Sequence, residues 1–442
     1  MMEEPKPENA NLGEMLSFGG VQFAISIFVA FSSYYMMMFF TDIALIPPAI
    51  TSLFLFCYRL YCAADTQVIS IFINRNSFAG GKYRPYYKWF ALPFAFSLAA
   101  VGLTPYITPS FRIIYITIVL AVCDLSMSAL SMASISMLPY LARDDITRSK
   151  FVSFSTVCSI FAFILVGSFM LPFTKLLGGS DTGKGFAPAL AILALISIPL
   201  IFNAYFRLKE RFFTDPGIKH SLKNVFLAIW RSKRIMIFLS GLFIYNIADA
   251  FKNATTYFYL TYVMIQPDLL PMAILAGLLT PLAMQPVIPR LLKFAAKETL
   301  IVFGLFAAFS SSILMLAAGN RPIFLITCIM LYGVFTAIAA NLFFAVMASF
   351  SDEIRAQHNI SMSEILAAVM NLCSNVSSGI AGSVAALVLS IVKYSPTAKV
   401  QMAVTLTGIK ALYIFCTAAG LALSSLIMLL FQLNCRPPAV DC

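Results

Sequence analysis

Five charged side chains stand out within the long apolar stretches of this 442-residue sequence: Arg59, Asp65, Asp124, Asp249 and Lys252. A charged group near the centre of a lipid bilayer costs at least about 2.5–3.5 kcal/mol on insertion scales. Each of these residues therefore needs a partner of opposite charge or a water-filled cavity. Charged residues in such places commonly bind a solute, or carry a proton or cation across the membrane.

The stretch YNIADAFKNATTYFYLTY, residues 245–262, predicts a helix with one polar face. At 100° per residue, six polar residues project within an arc of about 140°: Asn246, Asp249, Lys252, Asn253, Thr256 and Tyr257. Asp249 and Lys252 are three positions apart and could neutralise each other. Two interpretations are open. The face is either a polar wall that meets a solute, or a charged pair that fixes this helix to a neighbour.

The other three charges lie nearer the N-terminus. Asp65 follows Arg59 by six residues, which places the two about 120° apart on a helix, so they do not stack. A carboxylate here could carry a proton or help to bind a sodium ion. Asp124 shares a helix face with Ser128 and Ser131. Serines at this spacing also allow helices to pack closely, which is the structural interpretation of this face.

The composition assigns the chain to the polytopic membrane proteins, because 60% of its residues are hydrophobic, 11% are charged and the mean hydropathy is +0.88. The formal net charge of +11 comes from basic residues in short loops. It therefore indicates membrane topology rather than binding of nucleic acid. The acidic opening MMEEPKPENANLGE predicts that no cleavable signal peptide precedes the first apolar run.

Residue types that carry enzymatic chemistry are sparse. The nine cysteines form no CxxC pair and the chain has two histidines, so neither a metal site nor a cofactor is expected. No nucleophile, acid and base occur in a recognisable catalytic arrangement, and no Gly-rich phosphate loop is present. The sequence thus predicts neither an enzyme nor an ATP-driven pump.

About 20 apolar residues are needed for a helix to cross a bilayer. Twelve such windows are predicted, at 18–41, 49–73, 88–107, 112–141, 151–177, 186–206, 235–263, 270–292, 298–319, 322–350, 360–393 and 403–433. With both termini in the cytoplasm, most of the Lys and Arg residues between windows fall on the cytoplasmic side. The prediction is a multi-pass plasma-membrane protein, in the inner membrane if the host is bacterial, with both termini cytoplasmic.

The longest hydrophilic segment divides these windows into two sets of six. We predict a six-helix bundle over 1–206, a cytoplasmic linker over 207–234 and a second six-helix bundle over 235–442. Within the linker, HSLKNVFLAIWRSK is amphipathic and is expected to lie along the membrane surface. This plan is typical of the major facilitator superfamily, although no direct sequence repeat between the halves is visible.

Four stretches resemble the glycoside–pentoside–hexuronide:cation symporter family, a melibiose-permease-like branch of that superfamily. They are FAISIFVAFSSYYMMMFFTDIAL, LFLFCYRLYCAADTQVISIFINRNSFAGGKYRPY, YNIADAFKNATTYFYLTYVMIQPDLLP and IPRLLKFAAKE. The resemblance implies an all-α membrane protein with twelve transmembrane helices in two six-helix halves. It also implies symport of a sugar with a cation, and a solute site at the midplane.

The chain departs from the family where the cation binds. The resemblance places Cys62, Thr66 and Ser131 at positions where the family has three carboxylates. Asp65 lies one residue before one of these positions, and Asp124 lies two helical turns before another. We therefore predict that these five residues form a displaced cation-coupling site, with a proton favoured over sodium.

The solute-binding positions differ as well. Gln22 stands where the family has a sugar-binding acid, Thr156 replaces an arginine and Asn375 lies near a family lysine, whereas Arg59 is retained. The predicted solute-binding residues are Gln22, Tyr34, Tyr35, Arg59, Asn246, Asp249, Lys252, Asn253 and Asn375.

The function that follows is secondary active transport of a small organic solute by alternating access, either proton-coupled or uncoupled. A monomer in contact with membrane lipids is expected. One alternative is a transporter of lysolipids or other amphipathic molecules, since 41 phenylalanines and 21 methionines could furnish an adaptable apolar slot. Another alternative is a non-transporting membrane receptor.

Overall fold

The computed structural model describes residues 11–75, 81–142, 145–179, 182–211, 232–285, 287–319, 321–358, 363–396, 398 and 401–435. Long helices dominate these ranges, as the all-α prediction requires. Their lengths follow from the solvent, because in lipid each backbone N–H and C=O group must find its partner within the protein.

The first six long helices are α1 (Leu12–Tyr34), α2 (Pro48–Arg75), α3 (Arg84–Val101), α4 (Pro109–Leu141), α5 (Asp145–Gly178) and α6 (Thr182–Arg207). The later ones are α7 (Lys233–Phe258), α8 (Leu270–Met284), α9 (Lys297–Leu314), α10 (Pro322–His358), α11 (Ser363–Ile391) and α12 (Ala403–Lys410). A π-helical segment, Ala411–Cys416, continues α12 into a further helix, Thr417–Cys435.

Within the described residues, ten helices are long and apolar enough to cross a membrane. They correspond to ten of the twelve predicted windows. The other two windows, 49–73 and 88–107, fall on α2 and α3, which are helices of 28 and 18 residues. The charges of Arg59 and Asp65 contribute to the lower hydropathy of α2. The fold class is confirmed, and twelve spans stay a prediction.

The chain divides into two compact units. One comprises Met1–Leu45 with Leu60–Pro216, and the other comprises Ile46–Arg59 with Gly217–Cys442. The division after Pro216 lies inside the predicted linker, and the first turns of α2 group with the later helices. The amphipathic linker stretch lies almost entirely in residues 212–231, outside the described part of the chain.

In the N-terminal unit, α1 packs on α5 and α6, and α3 packs on α4 and α6. Side chains such as Phe28 and Phe31 are at most 1% exposed, so the contact surfaces are tightly closed. Gly185 of α6 lies so close to the Thr174 carbonyl group of α5 that a Cβ atom would overlap it. Small residues at such crossings let helices approach each other in membranes.

In the C-terminal unit, α7 packs on α11 and on the last helix of the chain, and α10 packs on α8 and α9. Phe238 of α7 lies at one centre of this packing. Its ring centroid is 5.5 Å from those of Phe343 and Phe431. The buried hydroxyl of Ser424 donates a hydrogen bond of 2.8 Å to the Gly241 carbonyl oxygen, so a polar contact supplements the apolar one.

A similar ending closes α1 in the N-terminal unit and α7 in the C-terminal unit. After α1 the chain continues to a π-helical turn, Phe39–Ile43, and after α7 to another, Tyr259–Val263. Each turn is capped by a backbone hydrogen bond, of 2.7 and 3.0 Å respectively. Leu45 and Ile265 then adopt positive φ angles of 51° and 55°. The two units thus share a structural repeat that is not visible in the amino-acid sequence.

Candidate functional site

The N-terminal unit contains a buried group that we call the carboxyl cluster: Asp65 and Thr66 of α2 with Asp124 and Ser128 of α4. Asp65 is 4% exposed and Asp124 is 2% exposed. The Ser128 hydroxyl donates to Asp65 Oδ1 at 3.4 Å, and the Thr66 hydroxyl is 3.2 Å from the same oxygen. The two hydroxyl oxygens lie 3.3 Å apart. Two helices thus bring four oxygen-bearing side chains together.

The two acids of this cluster are close enough to interact electrostatically. Asp65 Oδ2 is buried and accepts no hydrogen bond within the described part of the chain. A buried carboxylate oxygen without a donor is costly, and a second nearby negative charge adds to that cost. A proton or a small cation at this position would relieve both effects.

Two predicted cation-coupling residues lie outside the cluster, each about one helical turn from one of its members: Cys62 from Thr66, and Ser131 from Ser128. Cys62 is buried, and its carbonyl oxygen accepts a hydrogen bond of 2.9 Å from the Thr66 hydroxyl. Ser131 is half-buried on α4. The hydroxyl that reaches Asp65 belongs to Ser128, which the sequence analysis noted only as sharing a face with Asp124. Its spacing of four residues from Asp124 was the available signal.

The C-terminal unit contains what we call the zwitterionic cluster: Asp249, Lys252 and Asn253 of α7 with Tyr332 of α10. The Asn253 side-chain amide donates to Asp249 Oδ2 at 2.9 Å. The Tyr332 hydroxyl donates to Asp249 Oδ1 at 3.2 Å. The Lys252 ammonium lies 3.9 Å from the centroid of the Tyr332 ring, and the lysine side chain is buried.

This geometry bears on both interpretations of the polar face. Asp249 is held by neutral donors on both oxygens, while Lys252 interacts with it only through the longer-range electrostatic field. In the described part of the chain, the ammonium lies on an aromatic face and not in a direct ion pair with Asp249. Tyr332 was missed by the sequence analysis, because it follows Asp249 by 83 residues and nothing local links them.

The remaining predicted solute-binding residues of the N-terminal unit are on α1 or at its end. Gln22 and Tyr34 are half-buried. The Tyr34 ring meets the Phe163 ring edge-on at 6.4 Å. Tyr35 is 0% exposed and its hydroxyl donates to the Gly167 carbonyl oxygen. These contacts hold Tyr35 in the packing of α1 against α5.

In the C-terminal unit, Arg59 lies beside Tyr58, with its guanidinium carbon 5.9 Å from the ring centroid. Its Cβ atom is so close to Gly379 of α11 that a side chain there would meet it at 2.6 Å. Asn246 and Asn375 are half-buried on α7 and α11. The structure therefore places some predicted residues in the two clusters, whereas Arg59, Asn246 and Asn375 lie outside them on α2, α7 and α11.

Comparison with known proteins gives consistent results. The sequence pattern of the family described as MFS/sugar transport protein matches residues 17–435. The isoprimeverose transporter of Lactiplantibacillus pentosus is 23% identical over 95% of this chain and 88% of its own length. A putative glycoside/cation symporter of Escherichia coli is 22% identical over 85% of this chain and 82% of its own length. A solved D-xylose–proton symporter superposes with a TM-score of 0.70 at 13% identity, covering 95% and 97% of the two chains.

Proposed function

The chain belongs to the MFS/sugar transport protein family and is a secondary transporter of a small solute in a membrane, and we propose that it carries a sugar together with a proton. Its relatives are transporters and not enzymes. The lysolipid and receptor alternatives gain no support from them.

A sugar is the proposed solute because two relatives are described as an isoprimeverose transporter and a glycoside/cation symporter. Amide, hydroxyl and charged side chains suit a ligand rich in hydroxyl groups, since they donate and accept hydrogen bonds. The proposed solute-binding groups are Gln22, Tyr34 and Tyr35 in the N-terminal unit and Arg59, Asn246, Asp249, Lys252, Asn253 and Asn375 in the C-terminal unit.

The proposal of proton coupling rests on the carboxyl cluster. Asp65 and Asp124 are both buried, they interact with each other, and Asp65 Oδ2 lacks a donor within the described residues. A proton on this oxygen removes one charge from an apolar environment and turns an unsatisfied acceptor into a donor. Sodium is the weaker proposal, because Cys62, Thr66 and Ser131 stand where the resembled family has three carboxylates, which leaves Asp65 and Asp124 as the acids of the cluster.

In this mechanism Asp65 carries the proton and Asp124 is its electrostatic partner. Thr66 and Ser128 position the Asp65 carboxyl group, while Cys62 and Ser131 lie at the edges of the cluster. Binding and release of the proton change the charge of the N-terminal unit, and alternating access then links that change to movement of the solute. We further propose a monomer in the plasma membrane with both termini cytoplasmic.

Reconstituted vesicles test this function. The protein is placed in liposomes and uptake of radiolabelled sugars, including isoprimeverose and D-xylose, is driven by an inward proton gradient or an inward sodium gradient. We expect accumulation of at least one sugar with the proton gradient and none with sodium alone. Asp65→Asn should abolish accumulation, whereas Asp268→Asn, in an exposed loop turn, should not. Accumulation driven by sodium, or retained in Asp65→Asn, would overturn the proton assignment.

A further inference from the structure

We propose that one exposed side of α3 binds an anionic phospholipid, with Arg84 and Lys88 contacting the phosphate of its headgroup and apolar side chains contacting an acyl chain. This site takes a lipid and not the transported solute, so it does not depend on the proposed sugar transport. Its basis is the order in which charged and apolar side chains follow each other along this helix.

Four residues of α3 form what we call the lipid stripe: Arg84, Lys88, Leu92 and Phe96. They recur at intervals of four residues, which places them on one side of the helix. Lys88 is exposed, Leu92 is 42% exposed and Phe96 is 68% exposed. At 1.5 Å per residue, the stripe extends over about 18 Å. A phospholipid has the same order, with a charged headgroup followed by apolar chains.

Protein closes another side of α3. Tyr87, Phe94 and Leu98 are 0% exposed, and the helix packs on α4 and α6. The burial of these side chains fixes the rotation of α3 and directs the lipid stripe away from the packed interior. In a membrane protein, an apolar surface that no other helix covers is suited to contact with acyl chains.

Tyr205 of α6 holds the two cations of the stripe beside one ring. The guanidinium carbon of Arg84 lies 4.9 Å from the ring centroid, and the ammonium nitrogen of Lys88 lies 5.9 Å from it. The Nε atom of Arg84 also donates a hydrogen bond of 2.5 Å to the Tyr205 carbonyl oxygen. The two cations thus share a position at the boundary of α3 and α6, where an anion can interact with both.

The remaining donors of this pair are available. Within the described residues, the two terminal NH2 groups of Arg84 and the ammonium of Lys88 donate no hydrogen bond. Two like charges on one ring repel each other, so an anion beside them is stabilised. Phosphate suits this arrangement, because a guanidinium group donates to two of its oxygens at once and an ammonium group adds a further charge-assisted bond.

A nearby acid does not occupy these donors. Glu210 accepts hydrogen bonds from the backbone N–H groups of Lys82, Tyr83 and Arg84, and not from the side chains of the pair in the described part of the chain. Its single negative charge leaves the pair with a net positive charge. Trp89, which follows Lys88 and is 46% exposed, is of the residue type that concentrates at the boundary between headgroups and acyl chains.

Tryptophan fluorescence tests the site in the full-length protein. The chain has two tryptophans, so Trp230→Phe leaves Trp89 as the reporter. This variant is placed in vesicles of equal parts phosphatidylglycerol and phosphatidylcholine, in which one lipid or the other has brominated chains that quench the fluorescence. We expect brominated phosphatidylglycerol to quench at least about twofold more strongly, because each basic residue at the surface attracts anionic lipid. Equal quenching by the two lipids would overturn the site.

Substitutions then assign the preference to the stripe. In the Trp230→Phe background, Lys88→Gln should bring the quenching ratio towards one, whereas Lys88→Arg should keep it. Lys233→Gln, at an exposed lysine in the first turn of α7, is the matched control and should keep the ratio. An unchanged ratio in Lys88→Gln would contradict the site. An equal fall in Lys88→Gln and Lys233→Gln would show diffuse attraction to the positively charged chain, and would overturn it as well.

Inorganic phosphate separates a lipid from a soluble anion. An excess of inorganic phosphate, added at constant ionic strength, should leave the quenching ratio unchanged, because a soluble ion gains nothing from Leu92 and Phe96. A ratio that falls to one with phosphate would identify a site for a soluble anion and overturn the lipid assignment.

Discussion

The carboxyl cluster of the N-terminal unit and the zwitterionic cluster of the C-terminal unit are two different ways of burying charge. The first places two acids, Asp65 and Asp124, beside two hydroxyl groups. The second places one acid, Asp249, near one base, Lys252, with a phenol between them. The first has excess negative charge when both acids are ionised, whereas the second is neutral.

This difference suggests a division of roles. A group that cannot balance its own charge depends on a proton or cation from outside, which is what coupling to an ion gradient requires. A group that balances its own charge can stay ionised throughout a transport cycle and offer its spare donors to a solute.

The largest effect is expected when the carboxyl cluster is neutralised. Asp65→Asn/Asp124→Asn should abolish sugar accumulation driven by a proton gradient, because no carboxyl group of the cluster is left to take up a proton. Exchange of labelled for unlabelled sugar across the vesicle membrane should continue, since it needs no net proton movement. The melting temperature of this double variant should be equal to or above that of the wild type, because buried charges are removed. Loss of exchange together with accumulation would show that these acids do more than couple a proton.

The zwitterionic cluster should respond in the opposite way to loss of one charge. Lys252→Gln alone leaves the half-buried Asp249 carboxylate without a nearby positive charge, and the loss of stability should be smaller than the about 3–5 kcal/mol of a broken buried ion pair, because Tyr332 and Asn253 still donate to its oxygens. Asp249→Asn/Lys252→Gln should recover most of that loss. Thermal unfolding of both variants in the same detergent measures the difference. Equal melting temperatures for the two variants would mean that Asp249 and Lys252 do not compensate each other.

Glu210 differs from Asp65, because both of its carboxylate oxygens accept hydrogen bonds. Glu210 accepts backbone N–H groups from Lys82, Tyr83 and Arg84 at 2.9, 2.7 and 3.0 Å. It therefore holds the loop that starts α3 against the end of the N-terminal unit.

Glu210→Ala should lower the stability by about 2 kcal/mol, since hydrogen bonds to a charged group contribute about 1.5–3 kcal/mol and this one is half-buried. Glu210→Gln retains one acceptor oxygen and should show a smaller loss. Melting temperatures measure both variants, and proton-driven uptake per folded molecule should stay close to wild type. An uptake defect as large as that of Asp65→Asn would contradict the assignment of a purely structural role to Glu210.

The smallest effect concerns a feature that the two units share. Leu45 and Ile265 are exposed and hold positive φ angles, which non-glycine residues adopt at a cost. Leu45→Gly and Ile265→Gly should each raise stability by less than about 1 kcal/mol, because relief of backbone strain is partly offset by a more flexible unfolded chain. Melting temperatures should shift by similar amounts in the two variants. A large shift in only one of them would mean that these helix endings are not equivalent.

Much of the fold could be read from the sequence because membrane spans are defined by local composition. Ten of the predicted windows coincide with helices long and apolar enough to span a membrane. The windows at α2 and α3 are helical as well, although charge lowers the hydropathy of α2. The grouping of Ile46–Arg59 with the C-terminal unit was not predicted, because α2 gives no sequence signal at the point where its contacts change.

The candidate site residues also divide into those whose contacts helical periodicity predicts and those whose contacts it does not. Helical periodicity alone placed Asn253 and Asp249 on one face, and their side chains are hydrogen-bonded. It placed Ser128 with Asp124 as well, but it could not show that Ser128 reaches across to Asp65. Tyr35 is a polar aromatic residue in a span, and nothing local in the sequence indicated that its hydroxyl donates to the Gly167 carbonyl oxygen.

By itself, therefore, the sequence determined which segments are helical, which faces are polar and which residues carry charge where charge is expensive. These properties follow from local composition and from the helical period of 3.6 residues per turn, so each is fixed within a single helix. The tertiary structure alone decided that Asp65 meets Asp124 and that Lys252 lies on Tyr332. Those contacts depend on the rotation and height at which two helices pack, and these are set by the combined shape of many apolar side chains along both helices.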